Sequence, residues 1–123
     1  MTFAQHHSKM VVEVNSETKI LNVIQELTFH NQSNDSLSFI VLNDWNNAYS
    51  DKNTPLAKRF SDEFYRGFHL AKEEERGNTT LLSCTDTAQA ELVWKRTNEN
   101  PDVVIVHLKN KLAPNHKATI LVS

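Results

Sequence analysis

Phe39-Ile-Val-Leu-Asn-Asp-Trp-Asn-Asn-Ala-Tyr-Ser-Asp-Lys-Asn-Thr-Pro-Leu-Ala-Lys-Arg-Phe60 holds the transition that decides the fold. It opens as an apolar strand over Leu37–Leu42, and its run of four apolar residues is the pattern of a strand covered on both faces. Asn43–Ser50 then supplies a turn rich in Asn, Asp and aromatic residues. Thr54-Pro55 starts a helix, because threonine can cap free backbone N–H groups and proline at the first helical position forfeits no bond. Leu56, Phe60, Phe64 and Phe68 recur every four residues, with Tyr65 widening the stripe. The spacing predicts one amphipathic helix over about 55–68, about 20 Å long, with an aromatic face turned to the sheet.

On either side the chain reads as short strands. Met10–Asn15 and Ile20–Phe29 alternate in polarity and are joined by Asn15-Ser-Glu-Thr-Lys19, which has turn chemistry, so the two are expected to form a hairpin. In the second run Leu21, Val23, Leu27 and Phe29 share one face, the mark of a half-buried antiparallel strand. Asn31–Ser36 is a polar turn. Lys72-Glu-Glu-Glu-Arg-Gly77 is read as a solvated loop, since adjacent glutamates are not spaced to converge on one cation. Thr79–Thr85, Ala90–Lys95, Val103–Leu108 and Lys117–Val122 read as further strands, with turns at Asn98–Asp102 and Lys111–His116. The expectation is an all-β fold: an antiparallel β-sandwich or saddle-like sheet domain with one inserted helix.

A chain of 123 residues fits one domain, read here as residues 9–123 after a disordered remnant at 1–8. A net charge of −2 offers no electrostatic footprint for nucleic acid. No apolar run reaches the roughly 20 residues of a membrane span. Thr2-Phe3-Ala4 before Gln5 has the form of a signal-peptide end with Ala4 at the cleavage position, which points to export to the periplasm or cell surface. An ordinary frayed terminus is the competing reading of Met1–Ala4.

Chemistry-bearing patterns are sparse. The six histidines, His6, His7, His30, His69, His107 and His116, form no H-E-x-x-H and no i, i+4 pair, and there is no Cys-x-x-Cys. With Gly67 and Gly77 as the only glycines, phosphate loops and G-x-S-x-G elbows are excluded. Cys84, the one cysteine, has no local base or positive charge and reads as a buried strand thiol. Asp44, Asp51, Asp62 and Glu63 are carboxylates with nothing in the sequence to pair them. No catalytic, cofactor-binding or metal-ligating residue is assigned, and the chain by itself is read as non-catalytic. Trp45 and Tyr49 keep two readings: rings that pin the turn, or an aromatic platform for a sugar or peptide.

Asp44-Trp-Asn-Asn-Ala-Tyr-Ser-Asp-Lys-Asn-Thr-Pro-Leu-Ala-Lys58, with its W-x-N-A-Y and T-x-L-A-K patterns, resembles the N-terminal β domain of zinc metallopeptidases of the aminopeptidase N (gluzincin) family, in its exported bacterial members. Val23–Leu37 is similar to that domain's strand–turn–strand with its E-x-T-x-x-N-x-S pattern. Lys111–Ile120 is similar to its L-x-P-G-x-x-x-x-I hairpin, with Asn115 where glycine is usual; asparagine also tolerates the left-handed conformation. The likeness runs over roughly residues 9–122 and is structural rather than catalytic. It implies an N-terminal domain excised from a longer chain. Such a domain packs against the catalytic domain of the same parent and helps wall the cleft that takes the peptide substrate. The zinc belongs to that catalytic domain, and none of its ligands maps here. The alternative is an independent extracytoplasmic binding or adhesion module for a carbohydrate or peptide.

Overall fold

The computed structural model describes residues 6–123. The expected signal-peptide end, Thr2–Ala4, lies outside the described residues. Among the described residues seven strands are present: β1 His7–Asn15, β2 Ile20–His30, β3 Leu37–Asn43, β4 Cys84–Asp86, β5 Trp94–Arg96, β6 Val103–Leu112 and β7 Lys117–Val122. They form two antiparallel sheets, one in the order β1-β2-β7-β4 and one in the order β3-β6-β5. Helix is confined to α1 Pro55–Asp62, the four-residue α2 Gly67–Leu70, and 3₁₀ turns at Trp45–Tyr49 and Glu73–Glu75. The all-β, antiparallel class with little helix is the one expected from the sequence.

The described chain falls into two compact units. One contains the residues up to Ile40, Leu81–Val93 and His107–Ser123. Its sheet is built on β2, which pairs with all of β1, from His7 opposite Thr28 to Asn15 opposite Ile20. β2 pairs with β7 only from Gln25 to His30. The expected hairpin is therefore present, and its first strand starts three residues earlier than Met10. Asn15 closes the turn as anticipated, its side-chain oxygen accepting from the N–H groups of Glu17 and Thr18. Ile40, Cys84, Leu92, Leu112 and Ile120 are the buried apolar residues of this unit. Leu21 is not buried with them but 60 % exposed, so the half-buried pattern of β2 begins only further along the strand.

Asn31 is a polar residue at 1 % exposure, and its burial is fully compensated. Its amide donates to the carbonyls of Asp35 (2.7 Å) and Leu112 (2.9 Å). Its oxygen accepts from Ser33 N (3.0 Å) and Ser33 Oγ (2.7 Å). The backbone of Asn31 also bonds His116 and Asn115. One side chain thus holds the turn after β2 against the turn before β7. Asn115 has φ 61°, the left-handed conformation anticipated for it.

The second unit contains Val41–Thr80 and Trp94–Val106, with Ala48, Ala57, Phe68, Val104 and Val106 buried. The strand expected to be covered on both faces is covered on one: Ile40 is buried whereas Phe39 and Val41 are 48 % and 55 % exposed. A run of four apolar residues suits an open sheet face as well as a closed one, and periodicity alone does not separate them. The strand expected over Thr79–Thr85 shrinks to Cys84–Asp86, and that over Ala90–Lys95 to Trp94–Arg96, while the strand from Val103 extends to Leu112.

The single helix expected over 55–68 is a correction too. Thr54 caps it as predicted, its Oγ1 accepting from Ala57 N at 3.2 Å with Pro55 first in the helix. The helix then stops at Asp62 in a Schellman closure. Tyr65 N bonds Phe60 O (2.8 Å), Phe64 N bonds Ser61 O (3.0 Å), and Phe64 takes φ 59°. The apolar contact that accompanies this motif is also present, the rings of Phe60 and Tyr65 lying 5.4 Å apart edge to face. Phenylalanine in the position that normally takes glycine carries no stop signal in the sequence, which is why the four-residue periodicity overran it.

Two outcomes follow for the first unit. Asn31→Ala leaves four partners without their bonds and is expected to cost about 2–4 kcal/mol in urea denaturation. Burial raises the pKa of the Cys84 thiol, which is 3 % exposed. The folded state therefore keeps the proton at pH values where the unfolded thiol, with pKa about 8.5, gives it up. This contribution is complete below that pH and declines as pH rises through the folded value. Ellman's reagent is expected to label Cys84 at the rate of unfolding; immediate labelling of native protein contradicts this.

Candidate functional site

The stretch Asp44–Tyr49 concentrates the side chains most capable of chemistry, and the structure commits them internally. Asp44 Oδ2 pairs with Arg96 Nη1 at 2.8 Å, with both side chains 17 % exposed. Asp44 Oδ1 accepts from Thr79 Oγ1 at 2.9 Å. Arg96 Nη1 also donates to Pro101 O at 2.6 Å. Asn47, 8 % exposed, donates to Pro101 O at 2.7 Å and accepts from Thr79 N at 3.0 Å. Asn46 donates to Asn78 O (2.8 Å) and Thr79 Oγ1 (3.1 Å). A Cβ on Gly77 would lie 2.8 Å from Asn46 Oδ1, so glycine there makes room for that amide. Thr54 Oγ1 donates to Ala48 O at 2.7 Å, tying the helix cap to the turn before it.

Asp44, whose two oxygens both have partners, is thus a structural anion rather than a base. Arg96 and Thr79 complete the network from 52 and 35 residues away. Neither was singled out from sequence, because no local pattern announces a partner at that separation. Asp51 Oδ1 accepts from Asn53 N (2.7 Å), and Glu63 pairs with Arg59 (2.9 Å) on the surface of α1. That contact raises the Arg59 pKa through hydrogen bonding and then charge attraction. Of the four carboxylates named from sequence, Asp44, Asp51 and Glu63 are thus each engaged with another group of the chain. Glu73–Glu75 form an exposed turn, as expected of a solvated run.

Trp45 and Tyr49 separate. Trp45 is 57 % exposed, whereas Tyr49 packs its ring 6.4 Å from Phe60 and 6.1 Å from Phe68. A polar depression of about 310 Å³ is lined by Ser50, Asp51, Asn53, Thr54, Arg96, Thr97, Asn98 and Pro101. Neither aromatic ring lines it, nor does any histidine or cysteine. His107 packs at 6.2 Å from Phe39, His6 stacks on Phe29 at 4.5 Å, and His116 Nδ1 lies 2.9 Å from Pro114 O. Among the described residues no three His, Cys, Asp or Glu side chains converge to hold a metal.

The second feature is the Schellman corner. Phe64 is 86 % exposed and Tyr65 57 %, with Leu70 at 79 %. Phe64 and Tyr65, together with Ser61, Arg66 and His69, line a depression of about 320 Å³. An aromatic side chain held outward by a left-handed backbone, above a hollow edged by arginine and histidine, suits protein contact better than bond chemistry.

Comparison with protein-family models, curated proteins and solved structures found no match to the chain.

The network predicts an asymmetry. Arg96→Met strands a largely buried carboxylate and is expected to cost about 2–3 kcal/mol, whereas Asp44→Asn, which still accepts from Thr79, costs about 1 kcal/mol. Urea melts of both variants and of the double variant measure the coupling; additive effects would contradict a shared network.

Proposed function

We propose that the chain is a non-catalytic β domain that works by docking on protein, as the N-terminal domain of an exported zinc aminopeptidase-like metallopeptidase. It would pack against the catalytic domain of its parent and help wall the substrate cleft. The family part of this reading rests on the residues quoted above: the Trp45–Tyr49 and Thr54–Lys58 patterns, the Glu26–Ser33 run and the Lys111–Ile120 hairpin.

The docking part is carried by Phe64. A left-handed phenylalanine exposed to water is unfavourable twice over, in its backbone and in its hydration, by about 1–2 kcal/mol for the conformation alone. Glycine would relieve both costs. Covering the ring against a second surface recovers the hydration part and fits the behaviour of aromatic anchors at interfaces.

Two measurements test the reading. Phe64→Gly is expected to raise the stability of the isolated chain by about 1 kcal/mol while weakening its association with the catalytic domain at least tenfold. The coding sequence downstream of Ser123 is expected to continue into an H-E-x-x-H helix with a further glutamate. Stoichiometric zinc and aminopeptidase activity in the chain alone would overturn the non-catalytic assignment. A downstream sequence without such a helix would overturn the parentage.

A further inference from the structure

The outer edge of β1 carries information that the docking reading does not use. All nine residues of His7–Asn15 are exposed, and among the described residues no strand pairs with that edge. The pairing of β1 with β2 is uninterrupted over its whole length, without a bulge, and the strand contains no proline. Monomeric proteins usually protect such an edge by bulges, proline or charge, because its free N–H and C=O groups recruit another strand.

The apolar residues deepen the exposure. Residues directly opposite each other share a face, so Met10, Val12 and Val14 lie beside Leu21 and Val23 on one side of the hairpin. Met10, Val12, Val14 and Leu21 are 51 %, 44 %, 68 % and 60 % exposed. Val11 and Ile24, 61 % and 59 % exposed, are paired on the other side. From Ile20 to Ile24, β2 has β1 as its strand partner and does not reach β7. A two-stranded ribbon of this kind is marginal in water unless something covers it.

We propose that β1 pairs antiparallel with β1 of a second copy of this chain, about a twofold axis at Val11, so that the two sheets join edge to edge. A twofold axis perpendicular to the sheet brings together residues of like facing, which restricts the register to an axis on one residue. Centring on Val11 is the register that pairs all nine residues, from His7 against Asn15 of the second copy. It also places Lys9 against Glu13 of the second copy, twice by symmetry. Centring on Met10 sets Lys9 against Val11, and centring on Val12 sets Glu13 against Val11. The Val11 register is thus favoured by both pairing length and charge. Within the hairpin Lys9 already faces Glu26, so the joined sheet carries the alternation Glu26, Lys9, Glu13 across its strands. On the apolar side Met10 meets Val12 of the second copy, and the exposed stripe of each hairpin becomes continuous with that of the other.

This surface shares no residue with the Phe64 corner, and the proposal stands whether or not the metallopeptidase parentage does. Sedimentation equilibrium of the full chain at up to hundreds of micromolar is expected to show a monomer–dimer equilibrium. Glu13→Lys, which faces Asn22 in its own hairpin, is expected to weaken the dimer roughly tenfold, and Lys9→Glu with Glu13→Lys together to restore most of it. Val11→Cys is expected to form an intermolecular disulfide under mild oxidation, since directly opposed strand positions lie within disulfide reach, whereas Val14→Cys, opposite Ser8, is not. A monomer throughout that range overturns the proposal. A dimer indifferent to Glu13→Lys and uncrosslinked at Val11 also overturns it, by placing the contact elsewhere.

Discussion

The Asp44 carboxylate is the fixed point of its unit. Its two oxygens hold Arg96 and Thr79, Arg96 in turn holds the carbonyl of Pro101, and Thr79 holds both Asn46 and Asn47. Three separate segments, the turn after β3, the strand β5 with its following turn, and the loop after Gly77, are joined through one ion. A partly buried ion pair gains from further hydrogen bonds to its members, and here Thr79 Oγ1 supplies one to Asp44 and the Pro101 carbonyl accepts one from Arg96. Both oxygens of the carboxylate and the amides of Asn46 and Asn47 are engaged in holding these segments together.

Asn31 plays the same part in the other unit with a neutral group. It occupies the turn between two strands, is nearly inaccessible, and uses its amide and its carbonyl oxygen in four hydrogen bonds. Each unit is thus held by a polar side chain with fixed partners, fully buried in the case of Asn31 and largely buried in the case of Asp44. Apolar burial alone is non-directional and tolerates slippage of register; a buried amide or carboxylate with fixed partners does not.

The parts of the fold that the sequence made legible are those set by local chemistry. Thr54-Pro55 marks its cap, Asn15 its turn, Asn115 its left-handed residue, and the alternation of Ile20–Phe29 its strand. Several of the residues that carry the resemblance serve packing: Thr28 contacts Thr119, Asn31 and Asn47 are buried, and so are Ala48, Thr54 and Ala57, while Trp45 stays exposed. What stayed hidden depends on distance or on rule-breaking. Arg96 and Thr79 are far from Asp44 along the chain. Phe64 sits where glycine is expected, so a stripe at perfect helical spacing concealed a helix end. The apolar run at Phe39–Leu42 reads as covered on both faces because its pattern cannot say what lies outside the chain.

That last failure is informative in its own right. Sequence periodicity reports which residues are meant to leave water, not whether the surface they meet belongs to the same polypeptide. Where the pattern is strong and the side chain is nonetheless exposed, as along β1 and at Phe64, the exposure is the observation on which both proposed contacts rest. The two places differ in kind. Phe64 is a single strained anchor beside a hollow, the form suited to a dissimilar surface. β1 is a long straight edge whose charges are arranged to complement themselves in reverse, the form suited to a twofold copy.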